Sequence, residues 1–106
     1  MKKLEHITRH AEVSEKAIEK YLVEQVKTIG GICLKYSNAN MVGYPDRLVC
    51  LRGGKVAWVE LKSRGKKPTK IQTIRQGELV GMGHEVHTID NKQSIDELIN
   101  IWREEK

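Results

Sequence analysis

The chain has 106 residues, 39% of them apolar and 31% charged, which suits one globular domain with its own core and leaves no room for a second. No apolar run approaches the ~20 residues needed to span a bilayer, and Met1-Lys2-Lys3-Leu4-Glu5-His6 lacks the apolar stretch of a secretory leader, so a cytoplasmic protein is expected. The net charge of +5 and a pI near 9.3 suit a polyanionic partner, although such a charge alone does not demand one.

Residues 1–13 are polar and read as a lightly packed segment ahead of a single domain over 14–106. His6 and His10 stand four apart, as helical metal ligands do, but no further ligand lies nearby in sequence. Ser14 has the character of an N-cap, opening a helix that runs to Ile29 and stops at Gly30-Gly31. Ile18, Leu22, Val26 and Ile29 form its apolar stripe. Ile32 to Tyr36 reads as a strand, followed by a polar loop with Ser37, Asn38 and Asn40 that leads into Gly43-Tyr44-Pro45-Asp46. Two apolar runs, Leu48 to Leu51 and Val56 to Leu61, flank Arg52-Gly53-Gly54 and predict a hairpin. Thr69 with Gln72 is a capping-box pattern for a helix from Lys70 to Met82. Glu85 to Ile89 is a last strand, and Ser94 is the expected cap of a C-terminal helix carrying Ile95, Leu98, Ile99 and Trp102. The order is helix, three strands, helix, strand, helix, a mixed α/β domain.

Asp46, Glu60 and Lys62 stand out within this frame. Strand side chains alternate, so Glu60 and Lys62 share a face while Val59 and Leu61 point into the core. A sheet-edge charge pair is the plain explanation. The hairpin supplies a test. A two-residue loop at Gly53-Gly54 would set Asp46 opposite Leu61, on the face away from Glu60. A three-residue loop, Arg52-Gly53-Gly54, sets Asp46 opposite Glu60 and makes the two carboxylates converge, and such loops are a common hairpin type. On the first helix, at about 100° per residue from Ile18, Glu15 falls near roughly 60°, inside the apolar stripe, and Glu19 near roughly 100°, at its edge. A glutamate aimed at a core needs a partner, and a cation is one. An exposed first-turn glutamate favoured by the helix dipole is the alternative for Glu15.

Gly43-Tyr44-Pro45-Asp46, a hairpin, then Glu60-Leu61-Lys62 resembles the PD-(D/E)XK nuclease signature, and locally it most resembles the virus-type replication–repair nuclease (VRR-NUC) domain. The likeness covers roughly residues 14 to 90. It implies a restriction-endonuclease-like core, αβββαβ with a further helix, in which a mixed central sheet is flanked by helices. It also implies that Asp46, Glu60 and the Leu61 carbonyl hold Mg²⁺ or Mn²⁺, that Lys62 is the catalytic lysine, and that Glu15, or Glu19 in its stead, is the helical glutamate. Gln72 resembles the glutamine these domains carry on the following helix, a role compatible with its capping box. Hard cations of this kind prefer carboxylate, carbonyl and water oxygens.

From Lys62 to Gly77 there are six basic residues and no acid. Of these, Arg64, Lys66, Lys67, Lys70 and Arg75 are candidate contacts to a DNA backbone, with Tyr36, Ser37 and Asn38 offering further contacts to phosphate. A solvated face is the plain reading of such a run. Stand-alone family members of this length, as in phages and viruses, are associated with homodimers that resolve four-way (Holliday) junctions. The resemblance therefore implies a structure-selective endodeoxyribonuclease acting as a homodimer, and the C-terminal helix is expected either to form that interface or to cover the sheet. Two rival readings remain. A zinc module would draw on Cys33, Cys50, His84 and His87, although no close pair of cysteines exists. A non-catalytic nucleic-acid-binding domain, or a nicking or flap nuclease of the same fold, would share the basic composition.

Overall fold

The computed structural model describes residues 14–105; the segment 1–13, with His6 and His10, and Lys106 lie outside the described residues. The elements are α1 (Glu15–Thr28), β1 (Ile32–Lys35), β2 (Arg47–Cys50), β3 (Val56–Leu61), α2 (Lys70–Gly81), β4 (Glu85–Ile89) and α3 (Lys92–Glu104).

Local chemistry accounts for most of the boundaries. Ser14 caps α1 by accepting the Ala17 N–H at 3.2 Å, satisfying a donor that the first turn cannot pair internally. The helix ends where Gly30 takes φ +80°, with Gly30 N on Lys27 O and Gly31 N on Val26 O, both at 3.0 Å. This is the paired closure of a Schellman end. The Thr69/Gln72 capping box opens α2 as expected. One boundary differs: α3 is capped by Asn91, not by Ser94. The Asn91 side chain accepts the Ser94 N–H at 2.7 Å, so Ser94 is already the third helical residue. Strand β4 ends at Ile89, and the Asp90 carboxylate that follows is taken by Gly65 N and Asn91 Nδ2, so Asn91 is the side chain that starts the helix.

The four strands lie in the order β1-β2-β3-β4. The first three are antiparallel and β3 pairs with β4 in parallel, which requires a crossover, and α2 supplies it. One sheet face carries Cys33, Val49, Ala57, Val59, Leu61 and Ile89 into a core shared with Ile18, Leu22 and Val26 of α1 and Ile95, Leu98, Ile99 and Trp102 of α3. The apolar stripe of α3 is therefore spent on covering the sheet. Of the residues that could have made a dimer interface, Ile95, Leu98, Ile99 and Trp102 are buried against the sheet and Ile101 is left exposed.

The C-terminal turn of α3 is pinned by a polar knot. Glu85 accepts from Trp102 Nε1 at 2.8 Å, lies 2.7 Å from His87 Nε2 and pairs with Lys55 at 3.3 Å, while Lys55 also reaches Glu105. Burial alone would raise the Glu85 carboxyl, but hydrogen bonds from His87, Trp102 and Lys55 outweigh it and hold the group below its ordinary value. A carboxylate with a depressed pKa contributes stability above its unfolded value, and that contribution is lost as pH falls through the folded value. Glu85→Gln is accordingly expected to lower stability by about 1–2 kcal/mol at pH 7. Urea unfolding of both chains from pH 7 to pH 3 should show the difference closing at the acid end.

Candidate active site

The hairpin register decides whether a site exists. Arg47 pairs with Val59 and Leu48 with Trp58, and Leu51 N donates to Lys55 O at 2.8 Å. Arg52-Gly53-Gly54 is thus a three-residue loop, closed by Gly54 at φ +82°, a left-handed conformation costly for any residue with a Cβ. The same register carried outward sets Asp46 opposite Glu60, as the sequence predicts. Tyr36 N donates to Asp46 O at 2.7 Å, extending the ladder to β1. At Pro45, fully buried and without an N–H, β2 pairing ends. The next donor on β3, Leu61 N, is taken instead by the Asp46 carboxylate, with Oδ2 at 3.2 Å. That bond points the Asp46 side chain toward Glu60.

Glu60 is 1% exposed, the only buried polar or charged residue among those described. Its Oε2 accepts from Gln72 Nε2 at 3.1 Å and lies 3.7 Å from Lys62 Nζ. Its Oε1 has no hydrogen-bond partner among the described residues. Burial, and then the neighbouring Asp46 carboxylate, push the Glu60 carboxyl up to about 8, against the opposing pull of Lys62. Gln72 closes the expected capping box and also reaches Glu60. Its side-chain oxygen accepts from Thr69 N at 2.8 Å while its amide nitrogen holds Glu60. Leu61 turns its side chain into the core, leaving its backbone between Glu60 and Lys62.

The helical glutamates separate. Glu19 is 2.8 Å from Arg47 Nε and 4.0 Å from Lys35 Nζ, so the Arg47 guanidinium, not a metal ion, neutralises the acid at the edge of the stripe. Glu15 is exposed and reaches the site only through its charge, the smallest of the influences that raise Glu60. Among the described residues no three His, Cys, Asp or Glu side chains gather closely enough to hold a metal ion. The site is a pair of acids with a lysine and a glutamine. A cation fits this donor set for one reason in particular: a buried carboxylate oxygen with no partner, beside a second carboxylate, is costly until a positive charge compensates it.

Zinc does not fit the cysteines. Cys33 pairs with Val49 and Cys50 with Ile32, so the two thiols point to opposite faces. Burial also raises the Cys33 thiol to about 11, which disfavours the thiolate that a zinc ligand must be. His84 is exposed and His87 is engaged by Glu85.

Of the basic run, Arg64, Lys66, Lys67 and Lys70 are exposed and form no ion pair with a described residue. Arg75 is different: it bonds to Val42 and Glu78 within the chain. Tyr36 and Asn38 bond to each other at 3.1 Å, and Ser37 is exposed. An aromatic cluster goes unremarked in the sequence reading. Tyr36, Tyr44 and Trp58 pack with ring centroids 5.2–6.5 Å apart, walling the site toward the hairpin. Alternation carried the signal, since Trp58 shares the face of Glu60 and Lys62.

The mixed sheet with its flanking helices, in this element order, defines a PD-(D/E)XK-like fold. A solved structure described as a VRR_NUC domain superimposes with a TM-score of 0.77 at 30% sequence identity, over 81% of this chain and 94% of that one. A curated protein of Acyrthosiphon pisum secondary endosymbiont phage 1, named "Putative nuclease p44", is 42% identical over 80 residues, 76% of this chain and 86% of the relative. No protein-family model matches the chain. The chain belongs to the VRR-NUC family of nucleases, in its phage type.

The elevated Glu60 carboxyl makes a testable demand on stability. A carboxyl raised in the folded state keeps its proton after the unfolded chain has lost its own, so folding weakens as pH rises from about 4.5 to about 8. Glu60→Gln removes that burden and is expected to be more stable than the native chain at pH 8, by about 1 kcal/mol or more. Thermal melting in EDTA at pH 5 and pH 8 checks it: the advantage should be small at the lower pH and grow at the higher one.

Proposed function

We propose that this domain is a metal-dependent, structure-selective DNA endonuclease, a Holliday-junction resolvase that works as a homodimer in the cytoplasm of its host cell. The observation that carries the hydrolytic part is the buried, half-satisfied Glu60 carboxylate facing Asp46 beside Lys62. A structural charge pair at a sheet edge would not be buried to this degree, nor leave an oxygen unbonded.

Asp46, Glu60 and the Leu61 carbonyl are the residues that would hold Mg²⁺ or Mn²⁺, with Glu15 contributing through its field or through water. When bound, such an ion polarises the scissile phosphate and lowers the pKa of an attacking water. Lys62 is 14% exposed at its side chain, so its ammonium is partly desolvated and suited to hold that water or to stabilise charge growing on the phosphate. Gln72 holds the Glu60 carboxylate through Oε2, the same oxygen that Lys62 faces. Arg64, Lys66, Lys67 and Lys70 continue from the end of β3 into α2, where exposed cations can follow a phosphate backbone.

The dimer rests on symmetry and on exposed apolar surface. Two cuts across a four-way junction call for two sites related by a two-fold axis. With the α3 stripe consumed by the core, one exposed apolar surface is on the sheet's other face, where Ile32 and Leu34 of the edge strand β1 and Val56 of β3 are exposed. Among the described residues no helix is long and apolar enough to cross a membrane.

The test is cleavage of labelled four-way junctions and matched linear duplexes with Mg²⁺, Mn²⁺ or EDTA. Paired nicks in the junction that need the metal are expected. Asp46→Ala should lower them by more than the roughly 10–100-fold that loss of an outer-shell group costs. Unpaired nicks would favour the nicking or flap activity, and tight binding without cutting would leave a non-catalytic binding domain. Equilibrium ultracentrifugation at micromolar concentration should give a dimer, and a monomer would count against paired cutting.

A further inference from the structure

Arg75 belongs by sequence to the basic run, yet its guanidinium is only partly exposed, at 22% of its side-chain surface. Its Nε donates to Val42 O at 3.0 Å and its Nη1 lies 3.3 Å from both Glu78 oxygens. Its carbon centre lies 5.1 Å from the centroid of the Tyr44 ring, and Tyr44 Oη donates to Glu78 Oε1 at 3.1 Å. The charge is answered by Glu78 within one turn of helix, so the pair offers little net charge to a phosphate.

What the pair joins is α2 and the loop that delivers Asp46. Gly43, at φ +95°, lies so close to α2 that a Cβ there would come within 2.8 Å of Ile71 Cγ1 and 3.2 Å of the Ile71 carbonyl oxygen. From Tyr44 the chain passes through buried, conformationally fixed Pro45 straight into Asp46. One turn earlier on the same helix, Gln72 holds Glu60. Both acids are therefore referenced to a single rigid element, Glu60 directly and Asp46 through its loop. Two carboxylates converging on one site repel each other, and beyond its strand pairing the Asp46 carboxylate accepts the Leu61 N–H at 3.2 Å.

We infer that Arg75 is a positioning residue, which latches the 42–45 loop to α2 and so keeps Asp46 facing Glu60, and that it is not one of the phosphate contacts. The inference rests on the metal-site reading above. A lysine cannot replace this arginine, because only a planar fork bonds a carbonyl and a carboxylate while laying its face on an aromatic ring.

The test compares Arg75→Lys, which keeps the charge, with Lys67→Ala. Calorimetry without DNA should show Mn²⁺ binding weakened about tenfold or more in Arg75→Lys and unchanged in Lys67→Ala. Salt dependence of DNA binding in EDTA should show the opposite, with the slope reduced by about 1 in Lys67→Ala only. A third readout needs no metal. Hydrogen exchange of the Leu61 amide, whose proton rests on the Asp46 carboxylate, should quicken in Arg75→Lys while amides of α1 keep their native protection. If the native chain binds no Mn²⁺, the metal-site reading fails, and the Leu61 amide still decides whether Arg75 positions Asp46. Native Leu61 exchange in Arg75→Lys, or a salt slope reduced by about 1 in Arg75→Gln, overturns the inference. Should Arg75→Lys not fold, Tyr44→Phe, which deletes only the bond to Glu78, reads the same quantities with a smaller expected change.

Discussion

Everything at the site depends on the count of residues between Leu51 and Lys55. Strand side chains alternate with a period of two, so a slip of one residue would send Asp46 to the opposite face and leave Glu60 alone in the sheet. The Leu51–Lys55 bond and two glycines at positive φ hold the count at three. The core enforces the same answer from the other side. Val49, Ala57 and Val59 are fully buried in this register, and the slip would expose the hydrophobic set of one strand. Packing and chemistry thus select one pairing.

That register delivers an arrangement that is unfavourable by itself. Burying a carboxylate with an unbonded oxygen beside a second acid opposes folding, and Lys62 and Gln72 answer only one of the two Glu60 oxygens. The surrounding structure carries this strain through a continuous apolar core against α1 and α3 on the opposite face. Local rules broken at one point in an otherwise consistent fold are a mark of functional sites. The cost is sited at the pair of acids proposed above to hold a cation.

The three helices divide the work. Helices α1 and α3 make the core, and the polar knot at Glu85 ties the last turn of α3 to the start of β4. Helix α2, which contributes only Leu79 to the buried apolar residues, makes polar contacts instead, to Glu60 through Gln72, to Thr88 through Gln76 and to Val42 through Arg75. It acts as a brace for the site more than as a wall of the core.

The sequence by itself determined what depends on neighbours along the chain. Ser14, Gly30 and the Thr69/Gln72 box mark helix ends because caps bond to atoms three or four residues away, and alternation alone puts Trp58, Glu60 and Lys62 on one face. The turn glycines made the productive register readable, though the choice of three residues over two needed the chemistry as an argument. Tertiary structure decided what depends on partners distant in sequence. The helical wheel sets Glu15 inside the apolar stripe and Glu19 at its edge, yet Glu15 is exposed and Glu19 is the one held, because Arg47 arrives beneath α1. The α3 stripe fits a core or an interface equally well until the sheet is seen to fill it. Arg75 is one cation in a basic run until the loop at Val42 and Tyr44 folds onto it. In each case the side chain's chemistry was legible and its partner was not, because pairing through space is set by how the layers stack and not by spacing along the chain.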